Sequence, residues 1–508
     1  MKVFILGLDG ATWNVLKPLI DSDILPNIKK IVKNGCTAIL ESTIPPVTST
    51  AWPCMATGMN PGKLGVFGNL RRTTNKDFTL KPVTSTVYKG KSFWDILSWY
   101  KYSVGLIKIP VLYPTYEVNG YMISGFGLTG KSAVYPRHLY EKIINGPSKL
   151  LEKELFDKLE TLNINNSKEC IEYIIQLKKL MREEAKIAIE LIKNSPSDLI
   201  FYVISMTDWL QHALMDRIIK LASNIDRIKL VDLDLVDNEI IKFYKYIDII
   251  VGNILNFLNN NNNEYIFFIV SDHGFTIRPY TFNIGKWLLK KGYMKIKENV
   301  IYEGSHLYDI INYIIYKLIR INSIYQLLKF IPQKLILYFI NKYIKLYSKK
   351  KINISNIIDF KNSQVYCLED HAIYKNPLSK NIILDKLANE LKNTLKKEYN
   401  LNLIVFKCKE IYKGHKKELA PDLYLEIHDD EYIWEKSNDL NKPLIFKPKL
   451  PGIHDRDGIF IAYGPQIKKD YKMKKQHIYN IAPTILHIFN IPLNNELDGT
   501  IIKEIFIS

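Results

Sequence analysis

Val3-Phe4-Ile5-Leu6-Gly7-Leu8 runs straight into Asp9-Gly10. A continuous apolar run this short, ended by an acid, is the pattern of a parallel strand buried on both faces. The carboxyl edge of such a strand is where open α/β sheets place ligands. Two later stretches repeat the pattern, and a final strand stands after a histidine. Leu199–Ser205 is apolar and leads to Asp208, with His212 four residues on. Tyr265–Val270 is apolar and ends in Ser271-Asp272-His273-Gly274, and Ile459–Tyr463 follows Pro451-Gly452-Ile453-His454.

Helical spacing fills the gaps between these runs. It is legible at Pro26–Val32, Phe93–Tyr100, Ser167–Asn194, Leu235–Leu258 and Ala482–Phe489, with further strands at Thr37–Leu40, Val104–Lys108 and Tyr121–Ser124. Buried strands alternating with helices predict an α/β fold, a doubly wound, mostly parallel sheet flanked by helices. Character changes after about residue 300. Leu307–Lys349 is rich in Ile, Leu, Tyr and Lys at helical spacing and reads as packed helices of a cap, or as an amphipathic surface lying on a membrane. Alternation returns at Val365–Leu368, Leu403–Phe406 and Leu423–Ile427. The expected domains are the first part of an α/β core at 1–300, a largely helical or mixed cap at 301–400, and the closing part of the core at 401–508, carrying His454. The tract Asn259–Asn263 reads as a solvated loop.

The 508 residues can bury a large core, and 47% hydrophobic with 24% charged residues is a globular composition. The net charge of +18 comes from lysines spread through helical segments, not from one arm or tail. It therefore predicts a solvated basic surface and no specific nucleic-acid partner. Five cysteines without a C-x-x-C pair, a brief apolar N-terminus and no apolar window of membrane-spanning length lead to an expected cytoplasmic setting without signal peptide or transmembrane helix.

Between these strands lies Ile44-Pro45-Pro46-Val47-Thr48-Ser49-Thr50-Ala51-Trp52. Hydroxyls at a helix start sit where backbone N–H groups are free and an anion is welcome. The same residues also make ordinary N-caps. Each of the other polar ends has a plain reading too: Asp9 as a cap, Asp208 and His212 as a surface pair, Asp272-His273-Gly274 as a turn. Taken together, Asp9, Asp208, Asp272, His212, His273, His454 and the Thr48 hydroxyl form a carboxylate and imidazole set without cysteine, which suits Zn²⁺ ahead of Mn²⁺. The set is large enough for two divalent ions sharing one substrate, an arrangement suited to in-line displacement at phosphorus.

In order and spacing, Gly7-Leu8-Asp9-Gly10, Pro45-Pro46-Val47-Thr48 through Thr57-Gly58 and Pro61-Gly62, Asp208 to His212, Ser271-Asp272-His273-Gly274-Phe275 and Gly452-Ile453-His454 resemble the alkaline phosphatase superfamily, in its type I phosphodiesterase/nucleotide pyrophosphatase-like branch. The resemblance implies an alkaline-phosphatase-like core with a cap. It implies one metal on Asp208, His212 and His454, and a second on Asp9, Asp272, His273 and Thr48. It implies Thr48 as the nucleophile of a phosphodiesterase or phosphatase, a phosphothreonine intermediate, and Asn69 in Gly68-Asn69-Leu70 as a phosphate contact, where the plain reading is a turn. A small phosphate ester or nucleotide-like molecule is the implied substrate. The chain departs from the family at Ala51, where nucleotide pyrophosphatases carry Asn, and at Leu64, where relatives carry His. Arg71, Arg72, Lys108 and residues 300–400 are the candidates for specificity. The alternatives are a phosphomutase on the same metal core, and a basic protein that binds nucleic acid or membrane surfaces through a degenerate site.

Overall fold

The computed structural model describes the chain except residues 75–79, 126–129, 141–142, 144–147, 226–232, 261–263, 298–356, 370–371, 380–383, 430–431, 441 and 508. The segment Leu307–Lys349, and with it the cap or membrane reading, lies outside the described residues. Two compact units emerge: residues 1–277 with 409–420 and 449–508, and residues 278–408 with 421–448.

The first unit is built on a ten-stranded sheet. Its middle runs Gly35–Glu41, Asp457–Tyr463, Tyr265–Val270, Lys2–Leu8, Leu199–Ile204, Val104–Ile109, Gly120–Ser124. Lys2–Leu8 is parallel to both neighbours, with Leu8 level with Ile204 and Gly7 with Val270. Asp457–Tyr463 is antiparallel to both of its own. The sheet is thus mixed, with a parallel centre.

Why the central runs are apolar without interruption follows from which side each residue faces. Successive side chains of a strand point to opposite faces. Phe4, Leu6, Ile200, Tyr202, Phe267 and Ile269 join one core, beneath the helices Pro26–Lys33, Ser167–Asn194, Met206–Asn224 and Leu235–Asn260. Val3, Ile5, Phe201, Val203, Ile266 and Phe268 join the other, beneath Thr48–Thr57, Phe93–Trp99 and Ile481–Ile488. Each fully buried Leu, Ile, Val or Phe contributes about 1.5–3 kcal/mol, so both faces hold the strands in place. The register aligns the carboxyl ends of the three central strands, and Asp9, Asp272 and the start of the Met206–Asn224 helix leave the sheet at that edge.

In the second unit a seven-stranded sheet carries Val365–Glu369, Ala372–Lys375, Leu423–His428, Ile433–Ser437, Thr281–Asn283 and Ile445–Phe446, with Asn402–Lys407 paired to Leu423–His428. Helices Ile284–Lys290 and Leu384–Tyr399 accompany it. All five cysteines are buried, and none is in a disulfide. Among the described residues no helix is long and apolar enough to cross a membrane.

Candidate metal centre

Three strand ends and one two-stranded antiparallel pairing bring the polar groups together. Asp9 follows Leu8 directly, and Asp272 follows Val270 by two residues. Asp208 sits in the first turn of the Met206–Asn224 helix, and His212, one turn on, shares its face. Two bonds tie this helix to the first strand end: Thr207 Oγ1 donates to the Asp9 carbonyl at 2.5 Å and Gln211 Nε2 to the Gly10 carbonyl at 2.8 Å. His454 arrives from far along the chain on Gly452–Asp455, antiparallel to Gly274–Ile277, with His454 opposite Phe275. Gly452 makes that approach feasible: a Cβ there would lie 2.1 Å from the Gln211 carbonyl oxygen.

Each imidazole is held by its Nδ1. The partners are the Gly452 carbonyl for His212 (3.3 Å), the Gly274 carbonyl for His273 (3.0 Å) and the Pro46 carbonyl for His454 (2.9 Å). A carbonyl oxygen only accepts, so Nδ1 carries the proton and every Nε2 of a neutral ring offers a lone pair. The three Nε2 atoms point into one place. His212 and His454 Nε2 are 2.9 Å apart, and Asp208 Oδ1 is 3.2 Å from His454 Nε2 and 3.6 Å from His212 Nε2. Around His273 Nε2 stand Thr48 Oγ1 at 3.2 Å, Asp272 Oδ2 at 3.4 Å, Asp9 Oδ1 at 3.5 Å and Asp208 Oδ1 at 4.0 Å.

Asp9 Oδ1, Asp208 Oδ1 and Asp272 Oδ2 are buried and take part in no hydrogen bond of good geometry, although each lies within ion-pair distance of an imidazole. Lone pair facing lone pair across such distances needs a cation. Bonds of about 2.0–2.2 Å to a tetrahedral Zn²⁺ place neighbouring donors about 3.3–3.6 Å apart; the separations of 3.2–3.6 Å lie close to this, and the two imidazoles of His212 and His454 are closer, at 2.9 Å. Two triads stand out, Asp208 with His212 and His454, and Asp9 with Asp208 and His273. Asp208 is common to both. Asp272 is steadied by the Gly10 amide on its Oδ1 at 3.2 Å, and Asp9 by Trp52 Nε1 on its Oδ2 at 3.3 Å.

The electrostatics carry the same imbalance. Burial, then the Asp272 and Asp208 charges, pushes the Asp9 carboxyl well above its usual range. Burial raises Asp272 to about 7. Asp208 is buried too, but His212, His454 and His273 outweigh that and hold it at about 2. Burial, with His454 beside it, drives His273 well down. His454 rises in spite of its burial because Asp208 and Asp272 face it. A divalent ion would satisfy the carboxylates together with the imidazole lone pairs.

Thr48 opens the helix Thr48–Thr57, and the N-cap position belongs to Val47, which makes no side-chain cap. The Thr48 hydroxyl faces His273. Its neighbour Ser49 donates Oγ to Asn69 Oδ1 and, at 3.3 Å, to the Gly68 carbonyl. Asn69 is thereby fixed beside Thr48 with its Nδ2 donors left over. Of the specificity candidates, Lys108 turns inward to Glu152 (3.0 Å) and Glu184 (2.7 Å), and Arg72 is buried. Sequence reasoning missed Trp52, Gln211, Thr207 and the three anchoring carbonyls. Only Trp52, one turn after Thr48, left a sequence signal.

A model of the family described as type I phosphodiesterase / nucleotide pyrophosphatase matches residues 3–458. No curated protein matches the sequence. Among solved structures the chain is similar to murine ectonucleotide pyrophosphatase / phosphodiesterase 5, with 13% identity, a TM-score of 0.55 and full coverage of both chains. An inactive variant of that murine protein in complex with AMP gives 14% and 0.54, and the human protein of the same name 13% and 0.52, again over the whole of both chains. At such identities the likeness is one of fold.

Proposed function

Because the chain belongs to the type I phosphodiesterase / nucleotide pyrophosphatase family, whose members are phosphoric-ester hydrolases, we propose that it cleaves its ester by attack of Thr48 Oγ1 on phosphorus. Two divalent ions, Zn²⁺ ahead of Mn²⁺, would be held by Asp208, His212 and His454, and by Asp9, Asp272, His273 and Thr48. When bound, such ions lower the pKa of a coordinated hydroxyl or water and neutralise phosphoryl oxygens. The observation that carries the reading is the meeting of three buried carboxylate oxygens that lack a hydrogen-bond partner with three imidazole Nε2 atoms and the Thr48 hydroxyl.

Attack forms a phosphothreonine and releases the alcohol of the ester, and water then frees Thr48 with the second product. The Ser49 amide, unpaired within the first helical turn, offers its N–H to the charge that develops on phosphoryl oxygen. Asn69, braced by Ser49, offers Nδ2 to another. The substrate is a small phosphate ester or a nucleotide-like molecule, a reading supported by the AMP held by the murine relative. Five cysteines, none in a disulfide, favour a reducing, cytoplasmic setting.

Turnover of bis-p-nitrophenyl phosphate and p-nitrophenyl phosphate, measured after chelation and again with Zn²⁺ or Mn²⁺ restored, tests the proposal. Metal-dependent cleavage of at least one ester is expected. Cleavage of neither with any divalent ion would overturn it, and phosphoryl transfer within a substrate instead of to water would establish the phosphomutase alternative.

A further inference from the structure

Beside Ile44, four residues before Thr48, lies a cavity of about 350 Å³, at the lower end of the sizes that hold small molecules. Its wall belongs entirely to the first unit and includes Glu41, Ser42, Lys413, Arg456, His477 and Asp498. Asp498 is already engaged: its Oδ2 accepts the Asn60 amide at 2.7 Å and its Oδ1 accepts from Lys63 Nζ at 2.9 Å. Glu41 Oε1 stands 3.7 Å from Arg456 Nη1, too far for a hydrogen bond. The exposed Lys413 ammonium joins no ion pair among the described residues. With Asp498 and Lys63 cancelling, Glu41 faces Arg456 and Lys413, which leaves one positive charge in excess. His477 Nδ1 accepts the Tyr479 amide at 3.2 Å, and burial lowers the ring's pKa to about 4. The ring is therefore neutral, with its proton on Nε2 as a further donor. Ser42 Oγ, in the same wall, is buried without a hydrogen-bond partner.

The cavity touches both chain segments that feed the metal centre. The Ser42 amide donates to the Arg456 carbonyl at 2.8 Å, and Tyr412 Oη donates to the Ile44 carbonyl at 2.5 Å. Two residues after Ile44, the Pro46 carbonyl aims His454, and Arg456 follows His454 by two residues. A guest held between Glu41, Arg456 and Lys413 therefore braces the approach to Thr48 and the strand of His454 together. Guanidinium and ammonium groups bind carboxylates well, the first in a bidentate fork. Glu41 sets the charge of that guest, since it repels a doubly charged anion and attracts an ammonium or hydroxyl donor.

We propose that this cavity is an effector site for a small carboxylate of net charge −1 that also carries an ammonium or hydroxyl group. Arg456, Lys413 and His477 Nε2 take the carboxylate, and Glu41 takes the second group. An acidic amino acid and a sugar acid share this chemistry. The site is separate from the metal centre, and only its effect on turnover rests on the reading given above.

Calorimetric titration of the full, chelator-treated chain with L-glutamate and with D-gluconate tests the site without catalysis. At least one acid should bind, and the one that binds tells the amino from the hydroxy guest. Heat from neither at about 10 mM overturns the proposal. Lys413→Gln and Arg456→Gln should each weaken binding about tenfold, and Lys413→Arg should keep most of it. An equal Kd in both Gln variants and the unaltered chain overturns the site. A circular-dichroism melt checks folding; Lys413 is exposed, so its variant decides the matter even where Arg456→Gln does not fold. With Zn²⁺ restored, the acid that binds should change kcat on bis-p-nitrophenyl phosphate at least about threefold, and Lys413→Gln should abolish the change. An unchanged kcat, or a change that persists in Lys413→Gln, overturns the effector role. If the unaltered chain does not cleave the ester, the hydrolase reading fails, while the calorimetry still decides the site.

Discussion

At the scale of single residues, Thr48 and His454 have separable tasks. Thr48 Oγ1 sits 3.2 Å from His273 Nε2 and caps no helix, so removing the hydroxyl leaves six other donors in place. Thr48→Ala should keep its metal content while kcat falls on the order of 10³-fold or more. Activity within tenfold of the unaltered chain would move the nucleophile to another residue. His454→Ala, in contrast, opens the group made by Asp208 and His212 and leaves Asp9, Asp272 and His273 intact. Metal analysis should show one ion lost of two, with unchanged content excluding His454 as a ligand. Asp9, Thr48, Asp208, His212, Asp272, His273 and His454 were legible as types and spacings, since each stands at the end of an apolar run or the start of a helix. What the spacing did not convey is that Asp208 lies between both groups, or that every imidazole is aimed by a carbonyl. Carbonyls have no sequence signature.

Elements decide how far those residues can stray. Gly452 lies against the backbone of the helix bearing His212, where a Cβ would come 2.1 Å from the Gln211 oxygen and 2.9 Å from His212 Cα. Gly452→Ala should push the Gly452–Asp455 strand off that helix, costing about 1–3 kcal/mol, and should weaken metal binding although no ligand has changed. Calorimetric melting with metal titration reads both, and a variant with unaltered Tm and affinity would show that the strand can relax. At Gly7, a Cβ would meet Trp52 Cη2 at 2.7 Å and Val203 Cγ2 at 2.8 Å, so Gly7→Ala should displace the indole that donates to Asp9. Strands and long helices were readable because burial on both faces leaves no polar break: Ser167–Asn194 and Tyr265–Val270 fall where periodicity puts them. Helices Trp13–Asp21 and Ser148–Thr161 were not readable. Pro18 inside the first blurs its pattern. The approach of Gly452–Asp455 to Gly274–Ile277 is a long-range pairing that four-residue strands cannot announce.

For the whole molecule, the metal centre makes stability depend on pH in a direction that can be worked out. Asp272 moves from an ordinary 3.8 to about 7, and Asp9 is raised as well. A carboxyl whose pKa is raised by folding stabilises the fold while both states hold the proton, and that contribution is lost as pH rises from about 4 through about 7. For Asp272 alone it is on the order of 4 kcal/mol. Asp208, held at about 2, acts oppositely as pH falls below about 4, and His273, driven well down by burial, acts oppositely below about 6.5, while the raised His454 acts with the acids. The metal-free protein should therefore melt at lower temperature at pH 8 than at pH 5.5, and Zn²⁺ or Mn²⁺ should reverse the order. A metal-free Tm that rises across this interval would contradict the assigned burial of the acids. One further consequence follows from the path of the chain. It leaves the first unit at 278, returns for 409–420 and comes back for good only at 449. Asp457–Tyr463 then enters between Gly35–Glu41 and Tyr265–Val270. On the ribosome, a nascent chain made only as far as residue 277 thus holds a sheet with a missing middle strand and a centre without His454, exposed to chaperones and proteases until Asp457–Tyr463 has been made.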